Sequence, residues 1–411
     1  MSEDERRERR LTTREAAQLL GVKPATVYAY VSRGQLGSRR DAAGRGSTFD
    51  AREVEALARR SRREAAAPAG ELSVRTALTL IEADRYFFRG VDAVELASRY
   101  PYEEVAEWLW TGTLPHGARF TAPPDALTAA RRAVAALPEH SGPLDRLRVA
   151  VAAAAVVDPL RFDLSEEAVL GSARCLIPTL VGALPGAEAA PAPEGDGRLA
   201  RALWPRLTGH EPDQAAIDAL DLALALLVDH DLAASTLAVR VAASARAHPY
   251  AVVSAGLGAL EGPLHGAAGR LAHRMLAEVL ERGGAAPVVA EHLRAGRRVP
   301  GLGHRLYRGE DPRARALFAH LEALPAAAPA LGAARDVAAV MARHGLHPNV
   351  DLALAVLTVS CGMTAEAGET VFAVARTAGW IAHALEEYQE RPLRMRPSGH
   401  YTGTRPPRPL P

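Results

Sequence analysis

Apolar residues recur at three- and four-residue spacings along nearly the whole chain, the signature of helices that each bury one face. Near the start this spacing predicts a short amphipathic helix from Leu11 to Leu20, a turn through Gly21, Val22, Lys23 and Pro24, and a second helix from Ala25 to Val31 that ends at Gly34. The stretch LGSRRDAAGRGSTF then offers two short extended pieces around a Gly-rich bend, and AREVEALARRSRR returns to helical spacing. EAAAPAG at 64–70 has the composition of a linker. From residue 72 onward Ala, Leu and Val dominate with helical periodicity, broken by Pro and Gly, and β-branched runs of period two are scarce. The body is therefore expected to be almost entirely α-helical. LPGAEAAPAPEGDG at 184–197 reads as a surface loop, and the tail RPPRPLP cannot be helical.

A length of 411 residues exceeds one ordinary core and suggests two or three domains. The hydrophobic share is 48% and the charged share 24%, as in folded proteins, and no stretch approaches the roughly eighteen consecutive apolar residues of a membrane span. The start, MSEDERRERR, lacks the apolar segment of a secretory signal, so a cytoplasmic location is expected. Cys175 and Cys361 have no metal-ligand spacing, and neither a disulfide nor zinc is expected. Charge is unevenly spread. Residues 1–65 hold 15 Lys and Arg against 10 Asp and Glu, and the remainder holds 34 against 38. A basic module that meets phosphates, joined to a body that does not, fits this asymmetry, as does a plain solvated basic surface.

LTTREAAQLLGVKPATVYAYVSRGQL resembles the helix-turn-helix of MerR-like and excisionase-like proteins over about the first 60 residues. Ala16, Leu20, Val22, Val27 and Val31 can bury together, which leaves the second helix free to enter a major groove. Lys23, Tyr28 and Arg33 would then face DNA, while Arg39, Arg40 and Arg45 on the wing would reach phosphates. A small helical module used for oligomer contacts is the competing reading.

In the body, three loops place ionisable residues where Gly and Pro break helices: EGPLHGAAG around His265, RRVPGLGHRLYRGEDPRA around His304, and HPNVDLALAVL around Asp351. Taken singly, each histidine could simply fill a turn and Asp351 could cap the helix beginning at Leu352. DPRARALFAHLEAL is more informative, with Asp311 at a natural N-cap, Pro312 at the first helical position and Arg313 just inside. A cation there opposes the helix dipole at a cost of roughly a few tenths of a kcal/mol, so a nearby anion, such as a carboxylate or phosphate ligand, is expected.

Together the loops match the citrate synthase family in motif and in order: GPLHG, then VPGxGHRxYRxxDPR, PNVD, ARTxGW and RP, over about residues 72–403. ADRYFFRGVDAVELASRYPYEEVAEWLWTGTLP is similar to that family's opening segment. The resemblance implies an all-α fold of large and small helical domains, preceded by the winged helix-turn-helix module. The expected boundaries are 1–63 for the module, 64–71 for the linker, 72–265 and 363–411 for the large domain and tail, and 266–362 for the small domain. It implies condensation of acetyl-CoA with oxaloacetate and water to citrate and CoA, in a homodimer whose domains close over the substrates, with acetyl-CoA as co-substrate and no tightly bound cofactor or metal. Asp351 would be the general base, His265 would hydrogen-bond the thioester oxygen, and His304 would donate to the keto oxygen. Arg313, Arg376 and Arg396, with His230 nearby, would bind the dicarboxylate. The segment from Arg297 to Gly303 would cradle adenine, and Arg308 would approach the CoA phosphates.

Some positions depart from the family pattern. Leu227 stands where many members have His, Ala267 and Gly269 replace the commoner Gly and Asn, Leu352 and Ala353 replace aromatic residues, and Ser398 occupies a position commonly held by Arg. Altered pocket walls leave open a 2-methylcitrate synthase using propionyl-CoA. A metabolite-responsive DNA-binding regulator with a synthase-derived sensor body, or a bifunctional protein, would also fit these motifs; the three proton-transfer groups argue against pure sensing.

Overall fold

A computed structural model describes residues 10–20, 22–32, 36–40, 46–55, 57, 74–82, 84–186, 197–262, 265–397, 400 and 402–403. The chain divides into two compact units, Met1–Arg75 and Thr76–Pro411.

The first unit pairs two helices with a three-stranded antiparallel sheet of order β1-β3-β2. Its elements are β1 (Arg10–Thr12), α1 (Thr13–Leu20), α2 (Pro24–Ser32), β2 (Ser38–Arg40) and β3 (Ser47–Asp50), followed by helical residues 51–55. Leu11 belongs to a strand rather than to the first helix, because the helix is capped after it. The Glu15 carboxylate accepts from Thr12 N (2.8 Å) while Thr12 Oγ1 accepts from Glu15 N (3.3 Å), a reciprocal box that fixes the helix start. Leu11 pairs with Phe49 across the sheet, and both are buried with Ala16, Ala17, Val27, Leu36 and Val54. Leu20, Val22 and Val31 pack against this cluster, as the spacing predicts. Gly21, Arg33, Gly34, Arg45, Ser398 and the linker at 64–71 lie outside the described residues, as does the side chain of Arg40.

The body begins with a small antiparallel sheet that helical periodicity hides: β4 (Thr79–Glu82), β5 (Arg85–Phe88) and β6 (Val91–Asp92). The Arg89-Gly90 turn follows β5, with both residues at positive φ. Helices then continue as α3 (Ala93–Arg99), α4 (Tyr102–Thr111), α5 (Pro124–Ala135), α6 (Pro143–Val157), α7 (Glu166–Ala183), α8 (Leu199–Leu207) and α9 (Gln214–Leu227). Next come α10 (Ala234–Ser244), α11 (Pro249–Leu260), α12 (Ala267–Arg282), α13 (Ala285–Arg294), α14 (Pro312–Leu321), α15 (Ala328–Ala342), α16 (Val350–Ser360) and α17 (Ala367–Gln389). Among the described residues no single helix is long and apolar enough to cross a membrane.

α17 is the axis of this body. It is buried along most of its length and packs against α4, α7, α9, α10, α11 and α12. Its fully buried Trp380 lies so close to α11 that a Cβ on Gly256 would fall 2.7 Å from the indole. A side chain there would force helix and ring apart. This close packing holds α9 and α10, whose junction carries His230, against the helix that carries Arg376.

Candidate active site

Six residues singled out from the sequence line one cavity of about 410 Å³: His230, His265, His304, Arg313, Asp351 and Arg376. Each is set by a helix terminus or by a rigid helix. His230 follows α9, and His265 lies on the turn before α12. His304 sits in the loop between α13 and α14, Arg313 and Asp351 occupy the first turns of α14 and α16, and Arg376 lies midway along α17. Two glycines explain why the loops can converge. A Cβ on Gly266 would run into the Leu260 carbonyl oxygen, and Gly301, at φ +77°, would place its Cβ 2.7 Å from that of Leu352.

Asp351 is not the cap of its helix. Asn349 is, accepting from Asp351 N at 3.0 Å while its amide donates to Gly303 O at 2.9 Å. The carboxylate of Asp351 is thereby left free for the cavity. Burial pushes its pKa up to about 6, against the pull of Arg313.

Asp311 caps α14, Pro312 begins it and Arg313 follows, as the sequence suggests. The anion that answers Arg313 is Asp311 itself. Its carboxylate accepts from Arg313 N (3.0 Å), Nε (3.0 Å) and Nη2 (2.7 Å), and from Val350 N across on α16 (3.1 Å). Burial works to raise the Asp311 pKa, yet Arg313 holds it below the ordinary carboxylate value. The pair therefore carries its cation into the cavity already oriented and locks the start of α14 to that of α16.

Arg376 is buried, donates Nε to Leu227 O at 2.9 Å and lies 4.5 Å over the Phe372 ring. Burial lowers its pKa to about 10, still far above neutrality. Among the described residues its buried Nη2 has no hydrogen-bond partner, a cost that an anionic ligand would relieve.

The histidines are held neutral. His304 is lowered to about 4 by burial and then by Arg313, His265 is lowered by burial and then by Arg376, and His230 is lowered strongly by burial and by both arginines. His304 Nδ1 accepts from Leu306 N at 3.1 Å, so the neutral ring carries its proton on Nε2, which lies 3.4 Å from Arg313 Nη2. Two donors thus face one region. His265 Nε2 lies 2.8 Å from Ser235 Oγ, and His230 Nε2 lies 2.7 Å from the Tyr307 hydroxyl. The rings of His230 and His304 meet edge to face at 5.1 Å, and those of His304 and Tyr307 lie 4.8 Å apart at a tilt of 35°.

Other sequence expectations fall elsewhere. Arg297 is exposed on a second cavity with Gly303, His304 and Arg305, of which the last two also line the first. Arg308 is exposed, and its backbone N–H donates to Asp84. Arg396 is exposed and does not line the cavity. In the first unit Lys23, Tyr28 and Arg39 are exposed, and Tyr28 keeps its hydroxyl 3.2 Å from Thr13 Oγ1. Sequence reasoning missed Ser235, Tyr307, Phe372 and Glu369. Tyr307 stands inside the quoted HRLYRGED string, but a hydroxyl on a helical face such as Ser235 gives no local sign of its partner 30 residues away. Asp231 also lines the cavity and adopts φ +54°, a strained value immediately after His230.

Residues 68–398 match the family described as citrate synthase, C-terminal domain, and residues 10–62 match a helix-turn-helix domain. The chain is 33% identical over 360 residues to the citrate synthase of Haloferax volcanii, covering 81% of this chain and 94% of the relative. It is 30% identical to citrate synthase 2 of Bacillus subtilis, with the same coverage. The fold resembles the crystal structure of citrate synthase from Thermotoga maritima (TM-score 0.67, 26% identity, 83% of this chain and 96% of the other). It also resembles the Thermoplasma acidophilum enzyme in ternary complex with carboxymethyl coenzyme A and oxaloacetate (TM-score 0.65, 25% identity, 82% and 96%).

Proposed function

The chain belongs to the citrate synthase family, and from that membership we propose that its body condenses acetyl-CoA with oxaloacetate and water to give citrate and CoA. The observation that carries the chemistry is the convergence of Asp351, His265 and His304 with two buried guanidiniums in one cavity.

Arg313 and Arg376 hold the two carboxylates of oxaloacetate, the first preset by Asp311 and the second through its unpartnered Nη2. With Ser235 donating to His265 Nε2, the neutral ring presents Nδ1–H to the thioester oxygen. Asp351 takes a proton from the acetyl methyl as that oxygen gains charge, and the bond from His265 stabilises the enol. The enol carbon attacks the keto carbon of oxaloacetate while the His304 Nε2–H hydrogen-bonds the keto oxygen, and the proton this oxygen takes up to become the tertiary alcohol balances the one that Asp351 removed from the methyl. Water then cleaves the thioester and releases the CoA thiol. Both imidazoles are neutral at pH 7, so each offers its single remaining N–H here, Nδ1–H of His265 and Nε2–H of His304. The second cavity, which shares His304 and Arg305 with the first and is lined by the exposed Arg297, supports the CoA site, and Arg308, exposed three residues beyond Arg305, is the candidate for its phosphates. Purified chain given acetyl-CoA and oxaloacetate is expected to release free thiol stoichiometrically with citrate; thiol release independent of oxaloacetate, or none at all, would overturn the reading.

The helix-turn-helix match over residues 10–62 favours a second activity, duplex DNA binding by the first unit. A single module buries a small interface, so specific binding calls for the two copies of a homodimer. The exposed Val156, Leu160 and Phe162 of the body supply apolar surface for such an association. The full chain is expected to retard a mixed-sequence duplex in low salt. Affinity should fall with salt by about 0.9 log units per log unit for each phosphate contact, and Arg39→Ala should remove about one such contact. No retardation at any salt, or a salt-independent complex, would count against DNA binding. Oxaloacetate altering that affinity would mark the chain as bifunctional.

A further inference from the structure

The cavity also holds ionisable groups with no part in the chemistry above, Glu369 among them. Glu369, on the first turn of α17, is only 8% exposed and lines the same cavity as His265 and Asp351. Its position follows from the glycines opposite. A Cβ on Gly266, next to His265, would come 3.0 Å from Glu369 Oε1. One on Gly269 would lie 3.8 Å from Asp351 Oδ1 and 4.0 Å from Glu369 N. The carboxylate and the proposed base therefore flank the start of α12 where it has no side chains to fill the space between them.

Among the described residues the Glu369 carboxylate makes no hydrogen bond or ion pair. Burial raises its pKa, Arg270 opposes this, and Glu366 and Glu261 add to it. The N-terminus of α17 favours the charge, but a carboxylate this deep keeps it only if it is solvated from the cavity. The acyl group must lie against this wall, because the methyl to be deprotonated sits between Asp351 and His265. An acetyl methyl is small enough to leave the carboxylate wet. A further carbon would displace the water and put a methyl against an unpaired charge.

We propose that Glu369 determines acyl-chain selectivity, keeping the acyl subsite polar and turning away donors that carry apolar carbon beyond the acetyl methyl. This rests on reading the body as an acyl-CoA-condensing enzyme. The test compares kcat/KM for acetyl-CoA and propionyl-CoA, at saturating oxaloacetate, in wild type, Glu369→Gln and Glu369→Ala. Calorimetric Kd values for the two thioesters in the presence of oxaloacetate accompany it. Wild type is expected to favour acetyl-CoA by at least about 10-fold, within the range one methylene commands. Glu369→Ala should cut that preference at least about 10-fold through a rise in propionyl-CoA turnover, a gain that misfolding cannot produce, and Glu369→Gln should fall between. An identical preference in all three proteins, or a change made only of lost acetyl-CoA turnover, overturns the assignment. A wild type that turns over neither thioester sinks the enzymatic reading instead. The Kd ratios then judge Glu369 alone, with a shift between wild type and Glu369→Ala supporting it and equal ratios removing it.

Discussion

Asp351→Asn is expected to lower kcat by about 10² to 10⁴-fold, the contribution of one positioned proton-transfer group, while leaving the affinity for oxaloacetate near that of wild type. Asparagine keeps the shape but cannot take a proton from carbon. Asn349 supplies the cap of α16 and Asp311 holds its first turn through Val350 N, so the helix start does not depend on the 351 side chain. The fold should even gain. The Asp351 carboxyl titrates near 6 in the folded chain against an ordinary value of 3.8, so between those values the folded state holds a proton that the unfolded state has lost. The contribution of this group to stability is thus complete below 3.8 and declines as pH rises to 6, a loss the asparagine variant does not suffer. The same shift sets the acid limb of wild-type kcat/KM, which should fall tenfold per pH unit below about 6. Steady-state rates across pH and denaturation midpoints at about pH 4 and 7, on either side of that titration, check both halves. An asparagine variant within about tenfold of wild type would remove Asp351 from the role of base.

How much of this is legible in the sequence depends on whether the determining contacts are local. The Asp311-Pro312-Arg313 start of α14 is readable because an N-cap, a first-turn proline and a misplaced cation lie in three successive residues. That Asp311 itself answers the arginine is not readable, since an N-cap aspartate normally spends its oxygens on backbone N–H groups. The helical body is legible from periodicity. The β4–β6 sheet is not, because its strands are two to four residues long and too short for a period-two pattern to register. Spacing alone draws Leu11 into the first helix, although the Thr12 and Glu15 box that excludes it is present in the string LTTRE. His265, His304 and Asp351 can be named from the glycines and prolines around them. Ser235 and Glu369 cannot, since Ser235 reaches His265 across 30 residues of sequence and Glu369 meets Gly266 only through the packing of α17 against α12.

The second large effect belongs to Asp311, which never touches substrate in the scheme above. Asp311→Ala removes the cap of α14 and the bridge to Val350 N, and leaves Arg313, 3% exposed, as an uncompensated buried cation. Breaking a buried pair from one side typically costs about 3 to 5 kcal/mol, measurable as a lower denaturation midpoint. The KM for oxaloacetate should rise as well, because Arg313 loses the two guanidinium bonds that aim it. The pH dependence has a definite sign. The folded Asp311 pKa is depressed, so its stabilisation is fully present above the ordinary value of 3.8 and is lost as pH falls through the folded value. The alanine variant should lack that portion of acid sensitivity. Combining Asp311→Ala with Arg313→Leu separates structure from function: with neither charge left unpaired, much of the lost stability should return, whereas oxaloacetate binding should not. If Asp311→Ala alone stays within about 1 kcal/mol of wild type, this ion pair does not anchor α14 to α16, and if the double variant binds oxaloacetate as wild type does, Arg313 does not carry the substrate's carboxylate.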